Sequence, residues 1–118
     1  MNIFGSYSKQ VKTYTLEKEP AVNWVFHYPT SDNEVFMERY WRTNPTAMEV
    51  FVVELALTFE ETNLGVDDEG GEPYITMEKP LDVRRDLIRR MPTDLILELA
   101  RALNSFCPGW GAQEEEAE

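Results

Sequence analysis

The sequence predicts one mainly α domain of the α+β class, an N-terminal β-hairpin followed by about four helices. Three observations predict it. Two runs rich in β-formers, Val11 to Glu17 and Val22 to Tyr28, lie a few residues apart near the start of the chain. Ser31–Glu34 (SDNE) and Thr46–Glu49 (TAME) have the form of capping boxes, in which a hydroxyl accepts the amide three residues on and that residue's carboxylate reaches back. Finally, Leu81 to Phe106 holds two amphipathic stripes that meet at Pro92.

In the first run Val11, Thr13, Tyr14 and Thr15 favour extended backbone, and Lys18, Glu19 and Pro20 interrupt it. The second run, VNWVFHY, places Trp24, Phe26 and Tyr28 on one face and His27 on the other. Because an isolated hairpin is marginally stable, the aromatic face must pack against helices. The first helix is expected from about Asp32 to Thr43, with Phe36, Met37, Tyr40 and Trp41 as its apolar side and Glu38 and Arg42 as an i,i+4 pair. Asn44-Pro45 ends it.

The second helix, about Ala47 to Asn63, contains VFVVELALTF, in which only Glu54 and Thr58 are polar. A helix apolar nearly all round must be covered on several sides, which makes it central. A second reading turns part of its surface outward, with Val52 and Phe59 as candidate protein-binding residues and self-association at high concentration as the consequence. A third reading starts a buried strand at Val50, Val52 and Val53, although the capping box favours helix. Gly65 suits the helix C-terminus, and Gly65 to Pro80, rich in glycine, proline and acids, reads as a surface loop with a short extended piece at Tyr74 to Met77.

Val83, Leu87, Ile88 and Met91 form the apolar stripe of the third helix. Leu95, Ile96, Leu99, Ala102, Leu103 and Phe106 form that of the fourth, which Cys107-Pro108-Gly109-Trp110-Gly111 stops. Residues 1–110 therefore read as one globular domain and residues 111–118 as a disordered acidic tail. The apolar share of 42% and aromatic share of 12% in 118 residues suffice for one core.

The net charge is −11, and it is uneven: residues 1–45 are balanced, residues 46–80 carry −8 and residues 81–118 carry −3. Such an excess opposes phosphate contact, which argues against nucleic-acid and anionic-membrane partners. The single cysteine, Cys107, permits no intramolecular disulfide, and no run approaches the ~18 consecutive apolar residues of a membrane span. A cytoplasmic protein is expected.

Chemical sites are sparse. Asp67, Asp68, Glu69 and Glu72 lack the alternating oxygen ligands and closing glutamate of a helix-loop-helix calcium site. Glu60 and Glu61, adjacent on a helix, point apart and make a poor catalytic pair. His27 has no second histidine or cysteine close by, and Cys107 follows a helix C-terminus, whose negative end disfavours a thiolate. No catalytic, cofactor or metal site is expected, so the chain reads as a binding protein rather than an enzyme. Arg84, Arg85, Arg89 and Arg90 are the one concentration of positive charge. Asp82 and Asp86 at i+3 and i+4 spacing can neutralise much of it; otherwise the group is a second candidate protein-binding surface, for an acidic segment of a neighbouring copy.

The order of elements and the wording of VNWVFHYPTSDNEVFMERYW, VFVVELALTFEETNL, an acidic glycine loop and RRMPTDLILELARAL resembles small tail assembly chaperones of tailed bacteriophages over about residues 11–106. The likeness rests on pattern and order, and no family catalytic residues exist to transfer. What the resemblance implies is a non-enzymatic oligomer that coats the tape measure protein, keeps it soluble, recruits tail tube subunits in the host cytoplasm and leaves before the virion is complete. Two other readings fit the composition: a head-tail or other virion component, and an acidic DNA mimic. The second of these needs carboxylates spaced like phosphates, whereas here they concentrate in one loop and one tail.

Overall fold

The computed structural model describes residues 10–66 and 70–112. Strands β1 (Val11–Thr15) and β2 (Asn23–His27) form the expected hairpin, and helices α1 (Ser31–Trp41), α2 (Ala47–Thr58), α3 (Leu81–Arg89) and α4 (Thr93–Phe106) follow. A third strand, β3 (Phe59–Thr62), pairs antiparallel with the far side of β2, giving sheet order β1-β2-β3. The α+β class is therefore correct, with one strand more than the sequence reading contained.

That strand corrects the expected second helix, which stops at Thr58 instead of running to Asn63. Thr58 turns its hydroxyl back onto the Glu54 carbonyl at 2.8 Å, and Phe59 leaves the helix extended at φ −65°, ψ 134°. Helical periodicity could continue through the acidic EET, but the tertiary gain lies elsewhere. Thr62 pairs with Trp24, Glu61 with Val25 and Phe59 with Phe26, and the extra residue Glu60 forms a bulge between them. Thr62 Oγ1 adds a bond to the Asn23 carbonyl at 2.6 Å. Glu60 and Glu61 thus belong to a strand, not a helix.

The helix starts are close to expectation. For α1 the cap is Thr30, one residue before the expected serine: its Oγ1 accepts the Asn33 amide at 3.2 Å, while Asn33 Oδ1 accepts the Thr30 amide at 3.0 Å. Thr46 Oγ1 caps α2 by accepting the Glu49 amide at 3.2 Å. Asn44, at φ +58°, turns the chain between the two helices in a left-handed conformation that asparagine tolerates better than most residues. Pro80 and Pro92 occupy the cap positions of α3 and α4 without a side-chain bond, and Asp82 and Asp94 in the first turns complement the helix dipoles.

Everything packs around α2. It touches α1, α3, α4 and β2, and Val50, Val52, Val53, Leu55, Ala56 and Leu57 are all buried. The central-helix reading is the right one, and no strand starts at Val50. Trp24 and Phe26 reach into this core from β2, whereas Tyr28 lies at its edge, 45% exposed, with its ring edge-on to Phe106 at 5.6 Å. From α4 come Ile96, Leu99 and Leu103, and from α3 Ile88.

Between β3 and α3 the chain forms no strand at Tyr74–Met77. Ile75 is buried there instead, and Tyr74 is pinned by its hydroxyl to the Leu87 carbonyl at 2.7 Å. Gly65 lies in a turn after β3, not at a helix end; at φ +90° a Cβ would meet the Tyr74 nitrogen at 3.1 Å. Asp67, Asp68 and Glu69 lie outside the described residues, as does the tail from Gln113. The packed chain extends past the expected boundary at 110: Gly111 and Ala112 lie against α4, and Ala112 is buried. No helix among the described residues is long and apolar enough to cross a membrane.

Candidate functional site

Two sequence-derived candidates are withdrawn by burial. Val52 and Phe59 are 2% and 0% exposed, so neither can meet a partner while the core is intact. The reason is the packing of α2 against α1, α3, α4 and β2, which covers all of its apolar residues from Val50 to Leu57 except the partly buried Phe51. Of the four arginines, Arg85 and Arg89 line one open pocket with Asp82, Val83 and Asp86, and Arg84 and Arg90 do not line it. Arg85 stacks its guanidinium over the Tyr40 ring at 5.4 Å, and Arg84 lies against Met77, its Nη1 3.1 Å from the Sδ. Burial lowers the Arg84 pKa. Arg89 pairs with Asp86 at 3.2 Å in an exposed i,i+3 contact, of the kind that contributes little, and Arg90 stands exposed.

The structure assembles a different site where the chain's end crosses α1. After Cys107 closes α4, Gly109 at φ +97° turns the backbone, and residues 110–112 run back along α4. Ala112 donates to the Ala100 carbonyl at 2.9 Å, and Asn104 Nδ2 donates to the Trp110 carbonyl at 2.9 Å. Gly111 sits so close that a Cβ would lie 2.1 Å from the Ala100 oxygen. Two carboxylates then fasten this strap to the rest of the fold. Glu54 accepts the Gly111 amide at 3.1 Å, and Glu34 accepts the Trp110 indole at 3.3 Å.

Gly111→Ala is expected to release this strap without unfolding the domain. Its φ of +73° is unfavourable for a residue with a Cβ, and the clash is with backbone, so the loss should be about 1–2 kcal/mol. A shift in tryptophan fluorescence with helical circular dichroism retained is the outcome to look for. An unchanged spectrum would mean that the strap adapts in place.

Beside the strap, Val35, Met37, Trp41 and Trp110 line an open pocket of about 360 Å³ with Glu34, Glu38, Glu54 and Gly109. Trp41 was expected on the apolar, inward side of α1. It is instead 56% exposed, with Val35 at 46%, while Met37 alone of that helix is buried. Glu38 pairs with Arg42 at 3.4 Å, both side chains well exposed. At the floor, burial raises the Glu54 pKa to about 7, against the opposing hydrogen bond from Gly111. Apolar walls with an acidic rim suit an apolar side chain flanked by cations, and a lysine or arginine can also lie over an exposed indole.

Cys107 is 4% exposed, and burial pushes its thiol up, away from thiolate. No group of three or more His, Cys, Asp or Glu side chains among the described residues is arranged to hold a metal ion. Glu54 is legible in the sequence as the charged residue inside VFVVELALTF, but its partner Gly111, 57 positions away, is not. No protein-family model, curated protein or solved structure matches the chain.

Proposed function

We propose that this chain is a non-enzymatic phage tail assembly chaperone, which holds the apolar tape measure protein in soluble form and helps recruit tail tube subunits in the host cytoplasm. The observation that carries the reading is the exposed Trp41 beside the acid-rimmed pocket. A large aromatic ring left more than half exposed next to Val35 is a typical anchor for a partner. The acidic rim selects client segments in which apolar residues alternate with lysine or arginine. A net charge of −11 keeps such a complex soluble. The order of elements, a β-rich start followed by an apolar helix, an acidic loop and a proline-led closing helix, supports the same assignment.

Trp41→Ala tests the site without touching the core. Since the side chain is mostly solvated, the unfolding free energy should change by no more than for ordinary surface substitutions, about 0.5 kcal/mol. Co-purification with a co-expressed tape measure fragment should drop by about tenfold or more, as for a central aromatic anchor. Undiminished capture by the folded variant would remove the pocket as the client site. Failure of the natural chain to capture the fragment, or its presence in purified virions, would overturn the chaperone reading itself.

A further inference from the structure

β1 is an edge strand, and the phase of its hydrogen bonds can be read from its two ends. The Gln10 carbonyl accepts the Tyr28 amide at 2.8 Å, and the Leu16 amide donates to the Val22 carbonyl at 3.0 Å. In an antiparallel ladder bonded residues alternate, so Lys12 and Tyr14 also turn their backbone groups toward β2. Val11, Thr13 and Thr15 therefore turn their N–H and C=O groups the other way, where no strand among the described residues meets them. All three are exposed. Native edges are commonly blunted by a proline, a bulge or a charge, and here a single lysine, Lys12, stands on the strand.

We infer that β1 pairs antiparallel with β1 of a second copy, about a twofold axis at Thr13, to form one six-stranded sheet. Three features of the strand single out this occupant. The first is the phase. With Thr13 opposite Thr13 of the partner subunit, Val11 faces the partner's Thr15 and Thr15 faces the partner's Val11. All the outward donors and acceptors then meet each other, whereas a shift by one residue would set outward groups against inward ones. The second is the side-chain row on the exposed face, threonine on threonine at the axis and valine on threonine beside it, both favourable cross-strand pairs.

The third is charge. Glu98 on α4 accepts the Tyr14 hydroxyl at 2.7 Å and the Glu17 amide at 3.0 Å, yet no cation among the described residues lies within ion-pair distance of it. It forms part of an open groove between β1 and α4, lined also by Lys12, Lys18, Leu95, Arg101 and Ala102, in which no cation closes an ion pair with it. In the twofold pairing Lys12 comes directly opposite the partner's Tyr14, at a narrow, non-hydrogen-bonded position where side chains are closest. That tyrosine carries the partner's Glu98 on its hydroxyl. The lysine that would otherwise guard the edge thus finds its counter-charge on the other copy, twice per dimer. This association is separate from client capture at the Trp41 pocket, which lies on α1 and the strap.

Amide hydrogen exchange on the intact protein, at low micromolar and at millimolar concentration, gives a signature specific to this arrangement. The Lys12 and Tyr14 amides should be protected at both concentrations, being bonded to β2. Those of Val11, Thr13 and Thr15 should exchange freely in dilute solution and slow as sedimentation shows dimer forming. Thr13→Pro removes an amide that the hairpin does not use, so it should leave the fold intact and abolish the dimer. Lys12→Glu places like charges opposite one another and should weaken association by about tenfold or more; it serves as the independent variant if Thr13→Pro unfolds. A monomer at millimolar concentration, a dimer whose three outward amides stay fast, or undiminished association of Lys12→Glu would overturn the inference.

Discussion

Phe59→Ala should destabilise the domain by about 3–5 kcal/mol, the range for a buried aromatic truncated to leave a cavity. Phe59 is fully buried at the junction of α2 and β3, pairs across the sheet with Phe26, and meets the Trp24 ring at 5.0 Å in an edge-to-face contact. Its removal strips the core of one of its largest fully buried side chains and loosens the third strand from β2. Domains of this size have only about 5–15 kcal/mol in hand, so a large fraction of the stability is at stake. Urea unfolding monitored by circular dichroism measures it. A loss below about 1 kcal/mol, the level of ordinary surface change, would place Phe59 outward again and restore it as an interface residue.

Glu54→Gln should stabilise the protein above neutral pH by about 2 kcal/mol and flatten its pH dependence. Folding carries this carboxyl from 4.5 to about 7, chiefly by burial, while Glu34 of α1 and the Cys107 thiol are the neighbouring titratable groups and the strap supplies only a neutral amide. Below the unfolded value both states hold the proton and nothing is lost. Between about 4.5 and 7 the unfolded chain ionises while the folded one keeps its proton, so stability falls as pH rises through that window and levels off above it. A raised pKa of this size corresponds to roughly 3 kcal/mol, which movement of the strap and entry of water reduce. Glutamine keeps an oxygen for the Gly111 amide without the charge. Thermal melts of both forms from pH 5 to about pH 8 check the result; equal slopes would mean that Glu54 ionises freely in the folded state.

The elements legible in the sequence are those specified by local chemistry. Thr46, Asn44-Pro45, Pro80 and Pro92 mark helix boundaries because capping and ring sterics act within a few residues. The stripe through Ile96, Leu99 and Leu103 assigns the buried face of α4 because burial follows the period of the helix, whereas alternation in VNWVFHY holds only for Trp24 and Phe26: Val25 on the other face is buried as well, and Tyr28 is 45% exposed. Even the central position of α2 is implied by its having almost no polar side.

What the tertiary structure decided involves choices between nearly equal local options. Phe59–Thr62 carries no strong local signal for strand over helix, and it becomes strand because β2 offers a free edge that Thr62 and Glu61 can pair. Trp41 looks inward by helical spacing, yet Met37, Phe36 and Tyr40 already fill the contact, which leaves the indole in solvent. Gly111 and Ala112 read as the start of a tail because no periodicity marks them; their place is set by backbone bonds to Ala100 and to a glutamate on another helix. A carboxylate in the middle of an apolar helix is visible in the sequence. Its meaning depends on which distant amide reaches it, and that is a property of the packed chain alone.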